Sequence, residues 1–176
     1  MKLFIIRYIG NNKEYQFECR NISNFDQSID IPVQAFGLPE YSTDSAILTK
    51  AEGNIEKINF TWTIMNEETS PVFDGSGSNL GSWTRAVHPD GTSGGTWDLK
   101  TADGIFVFFT NIFEKIGISD NYKFQLVIED DDGIRYTLKK YGIIQRIGIQ
   151  KSANDPATYI AMIEFQVGDD VTIGSS

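Results

Sequence analysis

His88 is the single histidine of the chain. It is the only side chain able to supply the imidazole of a serine–histidine–acid triad or a histidine–cysteine pair. It precedes Pro89-Asp90-Gly91, a turn sequence inside a glycine-rich stretch. A catalytic base needs a rigid, supported position, so His88 reads as an exposed turn residue. The one cysteine, Cys19, alternates with Tyr15 and Phe17 and is expected to face the core. Arg20 alone is weak support for a reactive thiolate. A lone cysteine forms no internal disulfide, and zinc needs more His or Cys than the chain offers.

The carboxylates are numerous but scattered. Glu129-Asp130-Asp131-Asp132-Gly133 has the acidity of a calcium loop. It lacks the alternating ligands, the central glycine and the closing glutamate between two helices that an EF-hand requires. A hairpin turn ending in Asp-Gly accounts for it. Glu67, Glu68, Asp74, Asp90, Asp98 and Asp103 surround a long Gly/Ser/Thr/Asp stretch. Paired carboxylates do glycosidase chemistry only at a defined separation, which this spacing does not fix. Gly75-Ser76-Gly77 and Gly91-Thr92-Ser93-Gly94-Gly95 lack the lysine and the strand–helix context of a phosphate loop. The expectation is a non-enzyme with no cofactor and no metal. Trp83 and Trp97, in the same polar stretch, can stack on sugar rings or anchor a protein interface. With His88 they are the candidate interface or ligand contacts.

Positioning such residues requires a core, and the composition supplies one. Of 176 residues, 40% are hydrophobic and 12% aromatic, too many for a disordered chain. The length suits a single domain over 1–176. Phe, Ile and Tyr lean toward strands. The formal charge of −9 repels nucleic acids and anionic membranes at long range. The densest basic stretch, Arg135, Lys139, Lys140 and Arg146, is too thin for a nucleic-acid reader. The N-terminal apolar run is shorter than a secretory signal needs, and no stretch approaches a membrane span. The sequence is therefore read as a cytoplasmic product with no targeting segment and no membrane partner.

Along the chain, 2–8 and 13–20 read as strands joined at Gly10-Asn11-Asn12, a hairpin signal. Residues 21–45 read as an irregular connection with a short strand near 31–36. A short strand over 46–50 precedes the clearest one, 55–65. There Ile58, Phe60, Trp62 and Ile64 alternate with Lys57, Asn59, Thr61 and Thr63. Residues 66–98 read as a long loop or arm. Ile105, Phe108, Phe109, Ile112, Phe113 and Ile116 fall at helical spacing, predicting a helix over about 102–117. Thr101 or Asp103 would cap it, and Gly117 would end it. A four-strand meander over about 121–168 follows, with turns at 129–133 and 152–156. The expected fold class is mainly β: an antiparallel sandwich or barrel with one packed amphipathic helix and a long loop.

This layout resembles the tail-tube superfamily, the tube and baseplate-ring proteins of tailed viruses and the related tube of type six secretion. The residues that carry the likeness are the strand Ile58–Ile64, the helix Ile105–Ile116 and the closing hairpin. That hairpin runs from Gly142-Ile143-Ile144-Gln145-Arg146-Ile147 through Pro156 to Phe165-Gln166-Val167-Gly168. It implies a structural virion protein, made in the host cytoplasm and placed in the virion tail as a tube, tube-adaptor or baseplate-ring subunit. Its partners would be further copies of itself in a ring and neighbouring tail or baseplate proteins. DNA would pass without sequence-specific contact, which an acidic lumen favours. The competing reading is a non-catalytic carbohydrate-binding β-sandwich using the two tryptophans.

Overall fold

The computed structural model describes residues 2–30, 33–37, 46–50, 55–84, 94–114, 122–129, 136–151, 155 and 157–168. The chain is mainly β, and its described residues form one large antiparallel sheet, two small hairpins and one helix. The strands are β1 (Lys2–Ile9), β2 (Asn12–Cys19), β3 (Ile22–Asp30), β4 (Val33–Gly37), β5 (Ala46–Lys50) and β6 (Ile55–Ile64). Three short strands follow, β7 (Val72–Asp74), β8 (Ser82–Thr84) and β9 (Thr96–Asp98), and then helix α1 (Ala102–Glu114). The last three are β10 (Tyr122–Glu129), β11 (Tyr136–Lys151) and β12 (Tyr159–Val167). Eight strands join in the order β3-β6-β12-β11-β10-β1-β2-β7.

That order forces curvature. β2 and β3 lie six strand spacings apart in the sheet, about 29 Å if it were flat. Yet only Arg20 and Asn21 separate them in sequence, and three extended steps reach at most about 11 Å. The sheet therefore curls until its ends approach, the barrel-like of the two expected arrangements. Backbone bonds extend the two end ladders, β2–β7 and β3–β6, toward the corner between β2 and β3. Glu18 N–H donates to the Pro71 carbonyl at 2.8 Å, and Thr63 N–H donates to the Asn21 carbonyl at 3.2 Å. Arg20 braces this corner with side-chain bonds to Glu18 and Glu67, both at 2.9 Å. Asn21 takes a left-handed backbone, φ 57°, where the chain turns the corner.

The alternation of β6 sets one side inward: Ile58, Phe60, Trp62 and Ile64 are all buried. Phe17 and Cys19 of β2 and Phe124, Leu126 and Ile128 of β10 face the same interior. Helix α1 closes it with Ile105, Phe108, Phe109 and Ile112, the part of the expected stripe with described side chains. Thr101 is the N-cap, accepting from Gly104 N–H at 3.1 Å. Gly117 and Ile116 lie outside the described residues. At the other end of α1, buried Arg7 of β1 reaches within 3.5 Å of the Ile112 carbonyl. It brings positive charge to a helix C-terminus that has no basic residue in its own last turn.

Three expectations are corrected. Residues 22–30, read as irregular, form edge strand β3. Its register slips between Ser23 and Asp26, where Asn24 has φ 52°. This bulge breaks the period-two signal. The stretch 66–98, read as a long loop, holds three strands, with Ser70, Pro71 and Val72 buried in the body and Leu99 buried just after it. Its described strands are tied to the chain itself, β7 by its ladder with β2 and the β8–β9 hairpin by Trp83 against Phe108, and do not form an arm. The meander has three strands, because β11 runs unbroken through Gly142. It pairs with β10 up to Gly142 and with β12 from Gly142 onward. A Cβ at Gly142 would stand 2.0 Å from the Gln166 carbonyl oxygen, so the glycine permits the close approach at this change of partner.

Candidate functional site

The two candidate tryptophans are brought together. Trp83 lies directly opposite Trp97 in the β8–β9 ladder. Their rings stack with centroids 5.4 Å apart at 30°, and Trp83 also meets Phe108 of α1 at 5.0 Å. Both indoles are half-buried. The hairpin is held against the helix start, where a Cβ at Gly104 would lie 2.0 Å from the Asp98 carbonyl oxygen. Asn66 Oδ1 accepts from Ala102 N–H at 2.9 Å and fixes the same corner. The pair thus braces α1 while leaving partial exposure for a contact. His88, the third candidate, lies outside the described residues, as does Asp90.

The carboxylates are dispersed into local structural roles. Glu67 pairs with Arg20. Asp74 Oδ1 accepts from Ser76 N–H and Ser78 N–H, each at 2.9 Å, and from the Ser76 hydroxyl. These hydrogen bonds, the Ser76 hydroxyl first, hold its carboxyl below the ordinary aspartate value. Asp98 Oδ1 accepts from Lys100 N–H, and Asp103 accepts from the Tyr159 hydroxyl. Glu68 is exposed. Of the acidic turn, Glu129 ends β10 and residues 130–133 lie outside the described residues. Among the described residues no group of three or more His, Cys, Asp or Glu side chains is placed to hold a metal. Cys19 is buried, and burial pushes its thiol well above the usual value, which fits a core role.

Two grooves open on the outer side of the sheet. One, of about 320 Å³, crosses β3, β6, β12 and β11 and is lined by Asn59, Thr61, Arg146, Met162 and Glu164 beside the Asn24 bulge. Gly148 makes room there for the exposed Met162 side chain, whose Cε would lie 3.1 Å from a Cβ at that position. The other, of about 230 Å³, crosses β1, β2, β10 and β11. Its floor includes Ile6, Val127 and Gln125, all buried although they point away from the main core. Gln125 Oε1 accepts from the Tyr8 hydroxyl at 3.3 Å. Burial pushes the Tyr8 phenol above its usual value, with Tyr141 adding to the shift. Nothing in the sequence singled out Gln125, which reads as a solvated position of an alternating strand. Arg7 was likewise invisible as a buried residue.

A third feature is the hairpin that continues β3 and β6. Asp30 pairs with Ile55, and three residues on Val33 of β4 pairs with Lys50 of β5. The two ladders are successive parts of one excursion, but among the described strands β4 and β5 pair only with each other. Phe36 lies opposite Ile47, and Ala35 opposite Leu48. No protein-family model matches the chain, and no curated protein is significantly similar to it.

Proposed function

We propose that this chain is a structural subunit of a viral tail, a tube, tube-adaptor or baseplate-ring protein that assembles with copies of itself and has no catalytic role. The observation that carries the reading is the β4–β5 ladder, which continues the β3–β6 hairpin and pairs with no other described strand. A lone two-stranded hairpin is marginally stable in water. One carrying Val33, Phe36, Ile47 and Leu48 gains stability from a neighbour. Edge strand β3, which among the described strands pairs with β6 alone, offers a further strand edge at the root of the same hairpin. The curled sheet with one packed helix fits the architecture expected of such subunits. Fold alone does not fix function, so the reading rests on these unpartnered strands.

The test is the mass of the purified protein by light scattering over a concentration series, with negative-stain images of the same fractions. Rings or stacked tubes are expected. A strict monomer at every concentration removes the assembly reading. Binding to immobilised glycans, lost on Trp97→Ala, would put the carbohydrate-binding reading in its place.

A further inference from the structure

The smaller outer groove contains a polar atom that the chain's own described residues leave unanswered. Gln125 is 2% exposed, and its Nε2 has no hydrogen-bond partner among them. A buried amide N–H without an acceptor is costly, which is why such groups in folded proteins are nearly always paired or functional. Its position is fixed by four strands. Gln125 lies between Ile6 of β1 and Tyr141 of β11 in the register, and Gln16 of β2 flanks Ile6 on the far side. Only its Oε1 is engaged within the groove, by the Tyr8 hydroxyl.

The groove also gathers positive charge on a protein whose formal charge is −9. Lys13 and Lys139 line it. Lys123 stands over the Tyr141 and Tyr8 rings at 5.3 and 6.0 Å beside it. Glu129 is the one acidic residue of the lining. An amide donor between lysines and tyrosines suits a carboxylate, which supplies the missing acceptor and the opposite charge.

We infer that this groove receives a carboxylate side chain from the β3 edge of a second copy of the chain, an inference that rests on the assembly reading above. β3 carries Asp26 and Asp30, both exposed, and Ile29, whose 57% exposure is the greatest among the large hydrophobic side chains described. It heads the strand order, whose other end is β7, and pairs with β6, whereas the groove is lined by β1, β2, β10 and β11 and by no residue of β3. The groove and the β3 edge are therefore different patches of one surface. A contact between different patches repeats head to tail, and it closes into a ring where the rotation allows.

A charge swap in the full-length chain tests this. The variants are Lys13→Glu with Lys139→Glu in the groove, and Asp26→Lys with Asp30→Lys on the edge. Circular dichroism confirms that each folds. Each variant alone should associate at least about tenfold more weakly than the native chain, because groove and edge then carry like charge. An equimolar mixture should regain association, since every groove–edge pair formed between the two variants is again opposite in sign. Gln125→Leu, which keeps the bulk and removes the amide, should also weaken association. Native-like association of either charge variant alone, or a mixture that stays dissociated while the native chain assembles, overturns this interface and leaves the assembly reading standing. A native chain that never associates overturns both.

Discussion

Trp62 of β6 and Phe109 of α1 meet edge to face, with ring centroids 5.3 Å apart and planes at 86°. Both side chains are fully buried. The contact joins the most regular strand to α1 and sets how α1 closes the curled sheet. Phe109→Ala should lower unfolding free energy by about 3–5 kcal/mol, as expected for a buried Phe that leaves a cavity. Urea titration followed by tryptophan fluorescence would measure it. Phe106→Ala should cost less, because Phe106 is half-exposed and stacks on Tyr159 at the helix flank.

Gly142 and Gly81 make a matched pair for backbone packing. A Cβ at Gly142 would collide with the Gln166 carbonyl, and one at Gly81 meets nothing within 4 Å. Gly142→Ala should destabilise by about 1–3 kcal/mol by forcing β11 and β12 apart. Gly81→Ala should be neutral or stabilising by about 0.5 kcal/mol. Thermal unfolding of the two variants side by side checks the contrast. Equal effects would remove the close-approach explanation for the unbroken β11.

Arg7 and Glu14 form an ion pair at 3.0 Å in which the arginine is buried and the glutamate is about a quarter exposed. Removing the acid strands a buried charge, whereas replacing the base by a similar apolar volume removes that charge altogether. Glu14→Ala should therefore cost about 2–3 kcal/mol and Arg7→Met only about 1 kcal/mol. Denaturant unfolding measures both. A larger loss in Arg7→Met would mean that the contact with the Ile112 carbonyl outweighs the pair.

Much of the fold was legible because its signals are local. The alternation of Ile58, Phe60, Trp62 and Ile64, the helical spacing from Ile105 to Ile112 and the Thr101 cap each depend on neighbours in sequence. The first hairpin belongs with them, since Gly10 has φ 58° between β1 and β2 as its residue type suggested. The misread parts depend on distant partners. β3 carries polar residues on both faces and a bulge at Asn24, so no period survives in it. β7, β8 and β9 are three-residue strands that exist through pairing with β2 and with each other. Gly142 was read as the start of a fourth meander strand because its reason, the Gln166 carbonyl, lies 24 positions away. The candidate site was half legible. Trp83 and Trp97 were identified by type, but their stacking is a property of cross-strand register. The groove around Gln125 needs four strands at once, and no one of them announces it.

Burial of Cys19 gives the stability curve an alkaline slope. Its thiol is held well above the usual value in the folded chain, chiefly by burial, while the unfolded chain ionises from about pH 8.5. The folded state then binds more protons, so this contribution is complete below that pH and is lost as pH rises toward the folded value. Tyr8 and Tyr15, both raised mainly by burial, extend the loss from about pH 10. Stability measured from pH 7 to 10.5 should fall, and Cys19→Ala should flatten the part between about pH 8.5 and 10. A thiol reagent should label Cys19 only as fast as the chain opens. Rapid labelling of the folded protein at pH 8 would contradict a core thiol.

The β4–β5 excursion gives the sharpest separation between folding and assembly. Replacing residues 31–54 by a short Gly-Asn turn keeps β3 and β6, whose ladder ends at the pair Asp30 and Ile55. The main sheet loses no strand, because among the described strands β4 and β5 pair only with each other. Its melting temperature should stay within about 4 °C of the native value, equivalent to about 1 kcal/mol at this size. Association should weaken by tenfold or more if the hairpin rests on a neighbouring copy. Sedimentation of the native and shortened chains at matched concentrations reads the difference directly. Unchanged association would move the contact to the outer grooves and the β3 edge, and a collapsed melting temperature would make the hairpin part of the folding unit.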